Sequence, residues 1–328
     1  MKSPFTGNEM KRVCEKRTWE FRGEKYEYIY TAWQCEDTGE LFTTDETDDI
    51  GFIQVTNQYR VKYGIPFTDE IVAVREKYGI SAAKMSQVLG IGINQWRHYE
   101  SGEVPNVSNG RMIRSIMNPM TFLEYVHSSK HLLSDNEYHK LIKKVEDAAN
   151  KENEWNQYAH SRIFSKERDK ENGYAKQSLE HLKNILLYII ENCEEVFYTK
   201  MNKVLFYVDF TAYRKTGMSI TGLSYRALDY GPVPERWDRV YSQFDEIIQV
   251  PRLIGEREGT ELQSSIKADR SQLTNLEMEI IDEVCTRFAS VSSAEISRIS
   301  HEEDAWKKCN GSPDPIPFEF AFGLRALH

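Results

Sequence analysis

The sequence has no apolar run approaching the roughly 18 residues that a membrane-crossing helix needs, so no membrane span is expected. No signal peptide opens it. Its five cysteines (Cys14, Cys35, Cys193, Cys285, Cys309) are scattered and odd in number. That excludes a disulfide framework and fits free thiols in a reducing cytoplasm. A basic excess is also missing: 42 Lys and Arg stand against 51 Asp and Glu, for a formal net charge of -9. An acidic chain does not hold nucleic acid by bulk charge, so any such contact needs a local patch. There is no phosphate-cradling glycine loop, because Gly90-x-Gly92 is too short. His301-Glu302-Glu303 lacks the second histidine of a zinc-protease helix, and the thiols have no histidine beside them in a known motif. No catalytic set and no metal set emerges, and no cofactor is expected.

What is present is ample core-forming material. The 328 residues are 40% hydrophobic and 12% aromatic, enough for two or three domains. The expected fold class is α+β, with four segments. Residues 1–66 form a small β-rich module, 67–130 a helical DNA-binding domain and 131–176 a helical linker. Residues 177–328 form a mostly helical domain with a small β element.

The stretch Tyr78–Gly102 is the most informative. Ser81 is placed to cap a helix whose Ala83, Met85, Val88 and Leu89 share one face. Leu89-Gly90-Ile91-Gly92 turns the chain, and a second helix over Ile93–Glu100 would bury Ile93, Trp96 and Tyr99. Asn94, Gln95, Arg97 and His98 then point outward. This is the layout of a helix-turn-helix, whose second helix offers amide and guanidinium donors to base edges. Lys84 and Ser81 join the expected DNA-binding set. The alternative is an αα-hairpin with a solvated polar face; Asn, Gln and Arg on that face favour DNA. Across Phe67–Asn118 bases slightly outnumber acids, so the acid excess lies elsewhere.

Before this segment, Thr18–Phe21 and Lys25–Trp33 flank the turn Arg22-Gly23-Glu24, and the second run alternates Tyr26, Tyr28 and Tyr30 against Glu27, Ile29 and Thr31, which reads as a β-hairpin. Two similar corners, Ser3–Gly7 and Cys35–Glu40, have the shape of a zinc knuckle in which only Cys35 remains of four ligands. Hydroxyls stay protonated near neutral pH, so a metal-free knuckle is expected. After it, Val107–Met117, with Ser108 as a cap, Pro119–His127 and Ser134–Asn150 read as helices, the last with Tyr138, Leu141, Ile142 and Val145 on one face. The polar stretch Lys151–Lys176 reads as the interdomain connection, with a boundary near 170–176.

In the last block, Leu179, Leu182, Leu186, Ile189 and Ile190 make one amphipathic helix. Thr199 is expected to cap the next, with Met201, Val204, Leu205 and Val208 inward and Gly217 at its end. A strand over Ser219–Gly231 would end in the corner Tyr230-Gly231-Pro232-Val233-Pro234. A short helix over Glu235–Phe244, a hairpin over Ile247–Ile266, and helices opened by Thr274-x-x-Glu277 and Ser292-x-x-Glu295 follow. Phe318–Leu324 is apolar enough to dock on the domain or meet a partner.

The paired corners, the run Gly92-Ile93-Asn94 through Tyr99-Glu100-Ser101-Gly102, Val104-Pro105 and the helix from Ser108 resemble an MqsA-type antitoxin: a zinc-knuckle module followed by an XRE-like DNA-binding domain. The resemblance implies that Asn94 reads bases. The second base-reading position, usually arginine, falls on His98, and a neutral imidazole cannot reproduce a bidentate guanidinium contact to guanine. Arg97 instead meets a phosphate or base. The missing cysteines remove the family's zinc.

The later half is similar to the Panacea, or SocA-like, domain. The residues that carry the likeness are Lys203-Val-Leu-Phe-Tyr-Val-Asp-Phe, Tyr213-Arg214-Lys215-Thr216-Gly217, Ser219-Ile220-Thr221-Gly222, Tyr230-Gly231-Pro232-Val233-Pro234 and His301-Glu302-Glu303-Asp304-Ala305-Trp306. That resemblance implies the antidote half of a toxin–antitoxin pair. Tyr230, Pro232 and Val233 are then either a structural corner or a rigid surface gripping the toxin. Asp209, Tyr213 and Arg214 are either an internal polar network or a partner contact.

Together these readings give a non-enzymatic, cytoplasmic antitoxin. It would sequester a cognate toxin and bind operator DNA as a homodimer. The alternatives are an adaptor or chaperone delivering a partner to proteolysis, and a phage transcriptional regulator without a toxin.

Overall fold

A computed structural model describes residues 1–150, 154–164, 167–254 and 257–327. The chain divides into two compact units: Met1–Val55 together with Gln157–His328, and Thr56–Asn156. The fold is α+β, with three small antiparallel sheets among many helices in the described residues. Parts of the expected 131–176 connection, 151–153 and 165–166, lie outside the described residues, as do residues 255–256 of the expected 247–266 hairpin.

Strands β1 (Lys11–Phe21) and β2 (Glu24–Gln34) form the expected hairpin, with the first strand longer than its alternation implied. Arg22 and Gly23 both take positive φ (52° and 80°), the two-residue turn whose twist matches the flanking strands. β3 (Leu41–Phe42) adds a short edge. Helix α1 (Asp45–Tyr63) packs across the hairpin, where Gln54 imitates a neighbouring strand: its Oε1 accepts from Ile29 N (3.0 Å) and its Nε2 donates to Ile29 O (3.1 Å).

The second unit is helical: α2 (Thr68–Tyr78), α3 (Ala82–Leu89), α4 (Gln95–Glu100), α5 (Val107–Ser115), α6 (Pro119–Ser128) and α7 (Asp135–Asn150). Its core joins Ile71, Tyr78, Met85, Val88, Trp96, Tyr99, Ile113 and Phe122, with Tyr78 stacked on Phe122 at 4.1 Å. Helix α7, placed by sequence in the linker, sends Leu141, Val145 and Ala148 into this same core. Its apolar stripe needs a partner surface, and α2 and α6 supply it. The cap of α5 is Asn106, whose Oδ1 accepts from Asn109 N at 2.8 Å, and not Ser108.

The remaining elements are α8 (Glu154–Ile163), α9 (Leu179–Asn192), α10 (Tyr198–Thr216), β4 (Tyr225–Leu228), β5 (Gly231–Pro234), α11 (Trp237–Ser242), β6 (Ile248–Ile254), β7 (Arg257–Gln263), α12 (Asn275–Phe288), α13 (Ser293–His301) and α14 (Asp304–Cys309). Helix α10 is the hub: every residue from Lys200 to Arg214 is buried, under α12, α13 and the β4–β5 hairpin. Phe197, not Thr199, occupies its N-cap position, and Gly217 ends it. The expected strand over Ser219–Gly231 is shorter, and the Gly-Pro-Val-Pro corner is itself the return strand β5, pairing Val233 with Arg226. Proline is tolerated there because a two-stranded ribbon has only edges. Thr274 and Glu277 close a reciprocal capping box, while Ser292 caps α13 by accepting from Glu295 N. The tail docks on the domain, where Phe318 stacks on Phe210 at 4.6 Å.

Candidate functional site

Three places carry side chains with functional potential: the α3–α4 corner, the N-terminal knuckle and the surroundings of α10.

In the α3–α4 corner, Ser81 Oγ accepts from Lys84 N (3.2 Å) and so caps α3 as its sequence position indicated. Gly90 closes that helix at φ 68°, a conformation that costs a residue with Cβ about 1 kcal/mol or more. The second helix starts two residues later than its pattern suggested. Asn94 is its N-cap residue, and Ile93 precedes it on the turn, 81% exposed instead of buried. Ala83 is likewise exposed, and Ser86 takes the inner position, its Oγ accepting from Trp96 N at 3.1 Å.

The helix is held from below. Trp96 Nε1 donates to Glu100 Oε1 (2.9 Å), which also takes Arg75 Nε (2.5 Å), and Tyr99 OH accepts from Asn109 (2.8 Å). Above it, Asn94, Arg97 and His98 are exposed, and their side chains make no hydrogen bond or ion pair among the described residues. Gln95 is half-buried and tied to Glu103 at 3.1 Å. Lys84 pairs with Glu137 at 3.0 Å. A rigid two-helix corner thus presents an amide, a guanidinium and an imidazole without internal partners.

At the knuckle, both corners close with glycine N–H bonds, Gly7 N to Ser3 O (2.9 Å) and Gly39 N to Cys35 O (2.8 Å). They bring the four ligand-like positions together. Ser3 Oγ donates to Cys35 Sγ at 3.1 Å, and Thr6 Oγ1 lies 3.8 Å from the same sulfur. Bonds from Ser3 and then Thr38 lower the Cys35 thiol to about 7. One thiol and three hydroxyls are a poor donor set for zinc.

Around α10 most buried polar residues are paired, although Thr211 Oγ1 and Arg214 Nε have no hydrogen-bond partner among the described residues. Asp209 Oδ1 accepts from the N–H groups of Ile220 and Thr221 (2.8 Å each), and its Oδ2 accepts from Tyr225 OH (2.6 Å) and the Thr221 hydroxyl. Arg214 donates to Leu327 O (2.8 Å), and Lys200 to the carbonyls of Glu194 and Ala289. Asp209, Tyr213 and Arg214 are therefore interior groups that knit α10 to the segments after it. Pro232 and Val233 are also buried, whereas Tyr230 at the hairpin tip is 74% exposed. Beside the hairpin an open depression of about 530 Å³ is lined by Arg226, Leu228, Val233, Glu235 and Trp237.

Lys203 is the buried amine of α10 left without an acceptor. It is 1% exposed, no hydrogen bond or ion pair reaches its ammonium among the described residues, and burial alone lowers it to about 7. Near it, His301 Nε2 is buried without a partner, while the ring stacks on Trp306 at 4.0 Å. Sequence reading passed over both as site residues. The available signal was a lysine inside a helix apolar on all sides, which marks burial.

Residues 201–307 match the family described as antitoxin SocA-like, Panacea domain. The match begins in α10 and ends in α14, so it contains Lys203, Asp209, the β4–β5 hairpin and His301. No curated protein and no solved structure matches the chain.

Proposed function

We propose that this protein is an antitoxin that captures a toxin protein through the domain built on α10, and that it represses its own operon through the α3–α4 corner. The match of residues 201–307 to a SocA-like antitoxin domain carries the first part. An antitoxin domain implies a toxin partner in general and a regulatory rather than catalytic role. No helix among the described residues is long and apolar enough to cross a membrane, in keeping with action in the cytoplasm.

The second part is supported by the exposed, unpartnered Asn94, Arg97 and His98 on a helix fixed by Trp96 and Tyr99. In this reading α4 enters a major groove, Asn94 reads a base, Arg97 and His98 contact bases or phosphate, and Gln95, Lys84 and Ser81 frame the contact. Two copies would bind a palindromic operator. Of the residues expected to touch the toxin, Tyr230 is the exposed one; Asp209, Tyr213, Arg214, Pro232 and Val233 act by holding its scaffold.

The test is co-expression with the product of the neighbouring reading frame. Direct capture predicts rescue of growth that persists in cells stripped of their regulatory proteases. Rescue lost in such cells would mean delivery to proteolysis, and no rescue at all would leave a transcriptional regulator.

A further inference from the structure

Lys203 is the one buried cation of α10 that lacks an acceptor. The hairpin turn explains how it is covered. Gly231 takes φ 106° directly over it: a Cβ built there would lie 2.8 Å from Lys203 Cε and 3.5 Å from Nζ, and would strike Ser300 Oγ. The turn is held to the surrounding helices by its own backbone. Ser297 Oγ donates to Tyr230 O at 3.1 Å, and Trp306 Nε1 donates to Leu228 O at 2.8 Å. His301, on the same helix as Ser297, has its Nε2 buried and unpaired.

The acids of the elements packed here are engaged elsewhere or lie outside. Glu302 pairs with Lys307 at 2.7 Å. Glu303 accepts from Tyr207 OH (3.3 Å), Arg325 N (2.9 Å) and Ala326 N (3.0 Å). Asp229 is exposed on the turn. A desolvated ammonium without a counter-ion is costly, and replacing it with an apolar residue of similar volume usually stabilises a fold. A chain that keeps such a group, next to an unpaired imidazole and under an exposed tyrosine, is arranged for an anion that arrives from outside.

We propose that Lys203 Nζ and His301 Nε2 form a recessed anion site beneath the β4–β5 turn that accepts a carboxylate presented by the partner protein. The inference rests on the antitoxin reading above and names the chemistry by which the partner is held. Tyr230 and Trp306, at and beside the turn, supply the aromatic contact around it, the composition found at the energetic centre of interfaces. An arriving carboxylate favours the charged form of Lys203, so binding takes up a proton once the pH exceeds the lysine's value near 7.

The experiment uses the full chain and two variants, Lys203→Met and His301→Gln. In the first arm, thermal melts are recorded in sodium acetate and in sodium chloride at equal ionic strength, from pH 6 to pH 9. The native chain should show a saturable acetate stabilisation whose apparent affinity falls by up to about tenfold per pH unit above 7. Lys203→Met should be folded and no longer respond to acetate, and His301→Gln should respond less. In the second arm, each variant is co-expressed with the toxin that the native chain neutralises, and neutralisation should be lost in Lys203→Met.

An acetate response that survives Lys203→Met overturns the proposal, as does neutralisation that survives in a folded Lys203→Met chain. If acetate binds but the variant still neutralises, the site serves a free small carboxylate and the partner assignment is wrong. A native chain that neutralises nothing sinks the antitoxin reading instead, and the acetate arm still decides whether the anion site exists.

Discussion

At the scale of single residues, the cost of Lys203 has a pH signature. Its amine titrates near 7 in the folded chain and near 10.5 when unfolded. Between these values the unfolded state binds more protons, so this residue makes stability rise with pH, by up to about 1.4 kcal/mol per unit. Below pH 7 its full penalty is present. Lys203→Met should therefore exceed the native chain in stability most at or below pH 7, and the gap should close towards pH 10. Urea unfolding of both chains across that range checks it; a gap independent of pH contradicts a desolvated amine.

Asp209 is the opposite case, a buried carboxylate surrounded by donors. Burial drives its pKa upward, and the bonds from Thr221, Tyr225 and Ile220 oppose that rise. Tyr225→Phe removes one bond to this group and should cost about 1.5–3 kcal/mol in urea unfolding. An unchanged midpoint would mean that Tyr225 contributes only its ring to the core.

At the scale of elements, the two N-terminal corners place their side chains close enough to test a metal site. Ligand sulfurs around tetrahedral zinc sit roughly 3.8 Å apart, given a Zn–S bond of about 2.3 Å. Thr6 Oγ1 lies 3.8 Å from Cys35 Sγ and Ser3 Oγ 3.1 Å, so the corners already hold side chains at near-ligand spacing. The combined variant Ser3→Cys, Thr6→Cys, Thr38→Cys should bind one zinc and melt at a higher temperature with it. Metal analysis of the purified chain decides: without bound zinc, the corners resemble a knuckle only in backbone outline.

The same elements explain what was legible beforehand. The corners, the hairpin turn and the α3–α4 turn could be read because glycine and small polar residues act locally, through caps and left-handed turns. The start of α4 was misplaced because Ile93 fits an apolar period equally well as its first residue, and only tertiary packing shows that Trp96 begins the buried face. Asn106 over Ser108 and Phe197 over Thr199 are differences of the same kind, two residues at a helix end. The partners of Asp209 lie 11 to 16 residues away in sequence, and those of Glu303 up to 96. No local pattern encodes such meetings, so whether Asp209 served the interior or a partner stayed open until the structure was in hand. Lys203 was hidden for a related reason: its lack of a partner is a property of everything packed around it.

At the scale of the whole molecule, the two proposed functions fall on two sets of residues, and this makes them separable by point changes in the intact chain. Asn94 is exposed on α4 in the Thr56–Asn156 unit, whereas Lys203 is buried in α10 in the other unit. If Asn94 reads a base as proposed, Asn94→Ala should weaken operator binding by about 1–3 kcal/mol, with little effect on non-specific DNA, while neutralisation stays intact. Arg97→Ala should instead weaken specific and non-specific binding together and lower the salt slope by about one unit if the guanidinium meets phosphate. Lys203→Met should do the reverse of Asn94→Ala, leaving promoter repression in place and abolishing rescue from the toxin. A reporter fused to the promoter and a growth assay with the toxin, run on the three variants at matched protein levels, read both functions at once. Because the net charge of -9 offers DNA no general attraction, repression that persists in both Asn94→Ala and Arg97→Ala would leave α4 without a role in DNA binding.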